Sequence, residues 1–145
     1  MKLILSFMVV LSLTGYSQSS KDSSDIRLAV TNYADGWYEG DTLKMTKAIH
    51  PRMTKRIVGW SREFKNNQNV LQELNAFQLM DGTQKGIGKR IPAERRLKNV
   101  TILSMYTNTV SVKLEMADWF EYLHLGRWNG EWKIINSLWE MKPQE

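Results

Sequence analysis

The chain has 145 residues, with 20 Lys and Arg against 15 Asp and Glu for a formal charge of +5, 42% hydrophobic residues and no cysteine. That composition fits one ordinary domain and excludes a disulfide framework and a zinc–thiolate site.

The first residues read as a leader. Lys2 precedes an uncharged apolar run from Leu3 to Leu13, and Thr14-Gly15-Tyr16-Ser17 follows with small residues at its last position and two before it. This is the layout of a secretory signal, and the run is too short to span a membrane permanently. Cleavage is expected after Ser17, with residues 18–24 as a linker and residues 25–145 as the domain. With no cysteine to carry a lipid at the junction, the expected product is soluble and periplasmic or secreted. Removing 17 of the 145 residues leaves 128 with a charge of +4, enough for a single core.

The charge is uneven. From Lys44 to Lys98 there are 13 basic and 4 acidic residues, whereas Asn99 to Glu145 has 4 basic and 6 acidic. Such an excess attracts anions or simply solvates a surface. Nucleic-acid binding would want aromatic residues interleaved with the basic ones on a sheet, and the segment has none of that pattern, so no nucleic-acid partner is expected.

Ser23 and Ser24 can cap a first helix whose residues Ile26, Val30, Tyr33 and Trp37 form one apolar stripe. Gly40 is a natural stop, and Asp41 can cap a shorter helix containing Leu43, Met45, Ala48 and Ile49. His50-Pro51 should end it. A third helix is expected between Arg52 and Phe77, with Val70, Leu71 and Leu74 on one face. Asp81-Gly82, Gly86 and Gly88 mark a loop; they lack the strand-then-helix setting of a phosphate cradle.

After Pro92 the period becomes two. Val100, Ile102 and Leu103 start a strand, Asn108 marks a turn, and Val110, Val112, Leu114 and Met116 alternate with Ser111, Lys113 and Glu115. Asn129-Gly130 is a strong hairpin signal. A two-residue turn places Trp128 opposite Glu131, and counting back pairs Leu125 with Ile134, Leu123 with Asn136 and Glu121 with Leu138. The other face pairs His124 with Ile135, Tyr122 with Ser137 and Phe120 with Trp139. Neither face is plainly solvated, so the hairpin should have helices on one side and a partner, lip or second subunit on the other. Helices first and an antiparallel meander afterwards is an α+β layout.

Several of these segments together carry a likeness. Tyr33-Ala34-Asp35-Gly36-Trp37-Tyr38-Glu39-Gly40-Asp41, His50-Pro51 with Lys55-Arg56, Tyr122-Leu123-His124-Leu125, Gly130-Glu131-Trp132-Lys133-Ile134-Ile135-Asn136 and Leu138-Trp139 run through most of the chain. From about Ile26 to Pro143 it resembles the putative lumazine-binding family of the nuclear transport factor 2-like superfamily. The resemblance implies a cone of helices packed on the concave side of a curved antiparallel sheet, enclosing a pocket, often as a homodimer through the sheet. Its superfamily includes ketosteroid isomerase, scytalone dehydratase and polyketide cyclases.

His50 and His124 are the only histidines and the readiest acid–base groups near neutral pH. Each also has a plain structural reading, His50 as a helix-end cap and His124 as a hydrogen-bonded interface residue. Without a paired His spacing no metal site is expected, and no cofactor is implied. Asp118 is the most plausible acid at a pocket rim, beside its reading as a turn residue; Asp41 is better explained as a cap. No local motif matches the catalytic residues of the superfamily's enzymes. Binding has better candidates in Tyr33, Trp37, His50, Trp132, Asn136 and Trp139, which would give an apolar cavity with few polar anchors. Three readings stay open: an exported domain binding a small hydrophobic or planar molecule, an isomerase, dehydratase or cyclase, and a non-catalytic dimeric interaction module.

Overall fold

The first helix is a consequence of its stripe. In a computed structural model that describes residues 20–58 and 71–143, α1 spans Ser20–Glu39 and buries Ile26, Val30 and Tyr33 almost completely. Each such side chain contributes about 1.5–3 kcal/mol of hydrophobic stabilisation. The helix starts earlier than its serines suggest. The Ser24 hydroxyl donates back to the Ser20 carbonyl at 3.1 Å instead of capping, so residues 20–24 belong to the helix and not to a linker. Asp22 explains the early start. It lies in the first turn, where a carboxylate complements the helix dipole, and it accepts from Arg127 and Trp132 on the sheet. The leader expected over residues 1–17 lies outside the described residues.

Gly40, at φ +65°, ends α1. Asp41 then caps α2 (Thr42–Ala48), accepting from the amides of Leu43 at 2.9 Å and Lys44 at 3.0 Å.

The third helix is not where the sequence places it. β1 (Ile49–Val58) runs straight through His50-Pro51 and β2 (Leu71–Asn75) pairs antiparallel with it, so Leu71 and Leu74 are strand residues, while Val70 lies outside the described residues. Helix α3 begins only at Ala76 and ends at Gln84, opened by a capping box between Asn75 and Gln78. β1 alternates: Met53, Lys55 and Ile57 point inward. A lysine in the apolar series hides the period of two. Pro51 is tolerated because it falls in the stretch between Ile49 and Thr54 where the pairing of β1 is irregular.

The glycine segment is likewise more regular than a loop. Asp81 and Gly82 lie within α3, and Gly86 leads into a 3-10 turn over Ile87–Arg90. That turn packs tightly on α1: a Cβ added at Gly88 would lie 2.3 Å from the Trp37 carbonyl oxygen.

The remaining strands are β3 (Lys98–Met105), β4 (Thr109–Met116), β5 (Trp119–Trp128) and β6 (Glu131–Met141). The sheet order is β2-β1-β6-β5-β4-β3, antiparallel except for the parallel β1–β6 pair. Helices on one face of a largely antiparallel sheet make the fold α+β, with a single core between the two layers. On β4 the expected alternation holds, with Val110, Val112, Leu114 and Met116 inside.

The β5–β6 hairpin turns at Asn129 (φ 49°) and Gly130 (φ 82°), and Trp128 faces Glu131 and Leu125 faces Ile134 as counted. Beyond that point the count fails. A bulge at Ile135 pairs His124 with Asn136, Leu123 with Ser137, Tyr122 with Leu138, Glu121 with Trp139 and Phe120 with Glu140. One inserted residue reverses the facing of everything after it. Ser137 and Trp139 therefore turn inward, while Asn136 joins His124, Tyr122, Ile135 and Leu138 on the outer face.

Gly130 tests the turn. An added Cβ there meets nothing within 4 Å, so Gly130→Ala should cost only the left-handed conformation, about 1 kcal/mol. Urea denaturation measures this, and a variant as stable as the parent would show that the hairpin does not depend on this turn geometry.

Candidate functional site

The inward face of β5 carries an acid where the pattern calls for an apolar residue. Glu121 lies between Trp119 and Leu123 and is completely buried. Its carboxylate receives four donors. Oε1 accepts from Lys55 Nζ at 2.7 Å and from the Trp119 indole at 2.7 Å; Oε2 accepts from the Tyr33 hydroxyl at 2.9 Å and the Ser137 hydroxyl at 2.8 Å. Two oxygens with four acceptor positions are thereby filled. A proton on either oxygen would displace one of these donors, so the geometry selects the carboxylate.

Lys55 comes from β1 and is 8% exposed. It donates to Glu121 and, at 2.8 Å, to the Tyr33 hydroxyl, which passes a hydrogen bond on to Glu121. Its ammonium lies 4.9 Å from the centre of the Trp139 ring, 5.4 Å from that of Tyr33 and 6.0 Å from that of Trp119. An ammonium has three hydrogens; two are committed, and among the described residues the third has no hydrogen-bond partner.

Burial acts on all three titratable groups. It raises the Tyr33 hydroxyl well above its ordinary range, and the neighbouring Glu121 charge and hydrogen bond add to the effect. It also pulls Lys55 down, with Glu121 opposing through charge and hydrogen bonding. Burial alone would push Glu121 up, but the Lys55 charge and the hydrogen bonds from Lys55, Trp119 and Ser137 outweigh it and hold the carboxyl below its usual range.

Above this network lies a cavity of about 600 Å³. Lys55, Trp119 and Trp139 form its sheet side, Trp37 its α1 side, Leu79 and Gly82 part of its α3 side, and Ile87 part of the wall made by the 3-10 turn. At the rim Lys85 pairs with Asp81 at 2.6 Å and Arg95 with Asp118 at 2.6 Å. The arrangement offers aromatic walls and one ammonium hydrogen at the base. Among the described residues no group of His, Asp and Glu is placed to hold a metal ion.

Of the residues singled out from the sequence, Trp37, Trp139 and Asp118 line this cavity and Tyr33 lies directly beneath it. The others are elsewhere. His50 accepts from the Arg52 amide at 3.1 Å and meets the Trp128 ring edge-on at 4.8 Å. It sits on β1 and not at a helix end. Trp132 is buried under Arg127 and donates to Asp22 at 3.3 Å. Asn136 and His124 contact each other at 3.2 Å on the outer face, where Asn136 also accepts from Arg56 at 3.2 Å. They line a separate outer hollow with Ser111 and Tyr106.

Lys55, Glu121, Trp119 and Ser137 are the functional candidates that the sequence reading passed over. The signal was present in part: Glu121 falls on the face of Leu123 and Leu125, and a buried acid requires a countercharge. Ser137 could not be found without the bulge.

Removing one partner of the pair has a calculable sign. Lys55→Met should destabilise by about 3–5 kcal/mol at neutral pH, because it strands a buried carboxylate. In the parent, Glu121 has a lowered folded pKa, so its contribution is present above the ordinary carboxylate range and is lost as pH falls through the folded value. In Lys55→Met burial dominates and raises that pKa, so the variant should gain stability as pH falls from neutral towards 5. Thermal melts of both proteins across that interval check the reversal, and parallel profiles would contradict the ion-pair account.

The described residues include no helix long and apolar enough to cross a membrane. A family model described as Putative lumazine-binding matches residues 21–140, and no curated protein matches the sequence. A nuclear transport factor 2-like protein of unknown function from Shewanella baltica superposes with a TM-score of 0.66 at 14% identity, covering 88% of this chain and 99% of its own. One from Methylobacillus flagellatus gives 0.65 at 14%, covering 88% and 97%, and one from Novosphingobium aromaticivorans with a cystatin-like fold gives 0.62 at 10%, covering 86% and 84%. At these identities the likeness is one of fold, and it agrees with the cone expected from the sequence. The family match extends from the first turns of α1 to the end of β6, and the chain belongs to the Putative lumazine-binding family.

Proposed function

We propose that the protein binds a small planar molecule in the cavity between α1, α3 and the inner sheet face, with no chemistry performed on it. One observation carries this reading: a cavity of about 600 Å³ faced by Trp37, Trp119 and Trp139 has a buried ammonium, Lys55, with an uncommitted hydrogen at its base. Apolar walls with one or two polar anchors suit a planar ligand bearing a hydrogen-bond acceptor. The family name supports a small ligand without identifying it. Catalysis has less support, since His50 and His124 both lie outside the cavity and Asp118 is engaged by Arg95.

The neutral fluorophore phenylnaphthylamine tests the reading. It should bind the parent protein, Trp139→Leu should weaken binding at least fivefold, and His124→Ala on the outer face should leave it unchanged. Absence of binding, or equal effects of the two substitutions, would refute the assignment. Circular dichroism of each variant separates loss of the site from loss of the fold.

The reading also includes export with removal of residues 1–17. Expression with a secretion-competent host should yield a product whose intact mass begins at Gln18; a mass retaining Met1 to Ser17 would refute it.

A further inference from the structure

Among the described residues the charges around the cavity mouth do not cancel, and the excess is located at one residue. Four cations line the cavity: Lys55, Lys85, Arg90 and Arg95. Three of them have a carboxylate within 2.7 Å, namely Glu121 for Lys55, Asp81 for Lys85 and Asp118 for Arg95. Arg90 forms no ion pair among the described residues. It is exposed at the end of the 3-10 turn. The turn is fixed in place by the close approach of Gly88 to the Trp37 backbone, so the backbone presenting the guanidinium belongs to the cavity wall itself.

We infer that the ligand is an anionic aromatic molecule, with its ring system among the three tryptophans and a carboxylate or sulfonate at the mouth against Arg90. This rests on the binding reading above and adds the charge of the ligand to it. A guanidinium suits the role because its planar fork can donate two parallel hydrogen bonds to a carboxylate or sulfonate. The neighbouring Lys85 and Arg95 are already neutralised by partners, so they add little net attraction. Lys55 cannot supply the selectivity either: Glu121 compensates its charge, leaving it a hydrogen-bond donor to an acceptor of either charge type.

A matched pair of probes isolates the charge. Anilinonaphthalene sulfonate and phenylnaphthylamine share one ring skeleton and differ by the sulfonate. At low ionic strength the sulfonate should bind about three- to fivefold more tightly than the neutral probe, as expected for one charge-assisted contact to an exposed guanidinium. That advantage should shrink as salt is raised. Arg90→Gln should abolish it while leaving phenylnaphthylamine affinity within twofold of the parent. Equal affinities for the two probes in the parent, or a sulfonate preference that survives Arg90→Gln, would overturn the anionic assignment and leave the cavity reading intact. If neither probe binds, or if Trp139→Leu affects neither, the cavity reading falls and the charge assignment falls with it.

Discussion

The carboxylate of Glu121 is the point on which the molecule is organised. Its four hydrogen-bond donors come from α1, β1, β5 and β6, so a single buried anion ties the long helix to three strands. An apolar side chain there could attract any neighbour, whereas two oxygens with four directed lone pairs accept only a particular arrangement of Tyr33, Lys55, Trp119 and Ser137. Among the described residues every buried polar side-chain atom finds a partner. The network therefore incurs no additional penalty for an unpaired group.

This constraint also explains the bulge in β6. Without it, strict alternation from Trp132 and Ile134 would direct Asn136 and Leu138 inward and Ser137 and Trp139 outward. The carboxylate would lose its Ser137 donor and the ammonium its Trp139 neighbour. The single irregularity at Ile135 thus does two things at once: it completes the acceptor shell of Glu121 and turns an aromatic wall toward the cavity. Bulges near sites commonly re-aim side chains in this way.

Much of the architecture was legible because it rests on local signals that are strong where they occur. The α1 stripe, the Gly40 stop, the Asp41 cap, the β4 alternation and the Asn129-Gly130 turn all reflect short-range physical chemistry, and all are seen. What failed depended on distant partners. β1 looked unlike a strand because Lys55 interrupts its apolar series, and that lysine is acceptable only through Glu121, 66 residues away. The same distance hid the site. Trp37, Trp139 and Asp118, singled out as aromatic and acidic residues, line the cavity, yet the ammonium and its carboxylate are visible in the sequence only as charges out of place. Asn136 was assigned by counting register, and no feature of the residues near Ile135 announces a bulge.

The position of the ion pair bears on what it is for. A buried Lys–Glu pair is a poor way to stabilise a core, since desolvating two charges costs about as much as their attraction returns, and well-packed apolar residues often do better. Here the pair is not in the middle of the core. It lies at the boundary between the core and the cavity, with Glu121 fully enclosed and the small exposed fraction of Lys55 on the cavity side. In that place the acid holds a desolvated ammonium in a fixed orientation without leaving a net charge, and two of its three hydrogens are consumed in doing so. A purely structural pair gains nothing from leaving the third hydrogen without a partner at a cavity wall that tryptophans share. A binding surface does, because a donor already oriented by Glu121 and Tyr33 loses little rotamer freedom when an acceptor arrives. The binding proposed above would divide polar selectivity in the cavity between two separate groups: a compensated donor at the base that reads an acceptor, and, at the mouth, a guanidinium with no ion-pair partner among the described residues that reads charge.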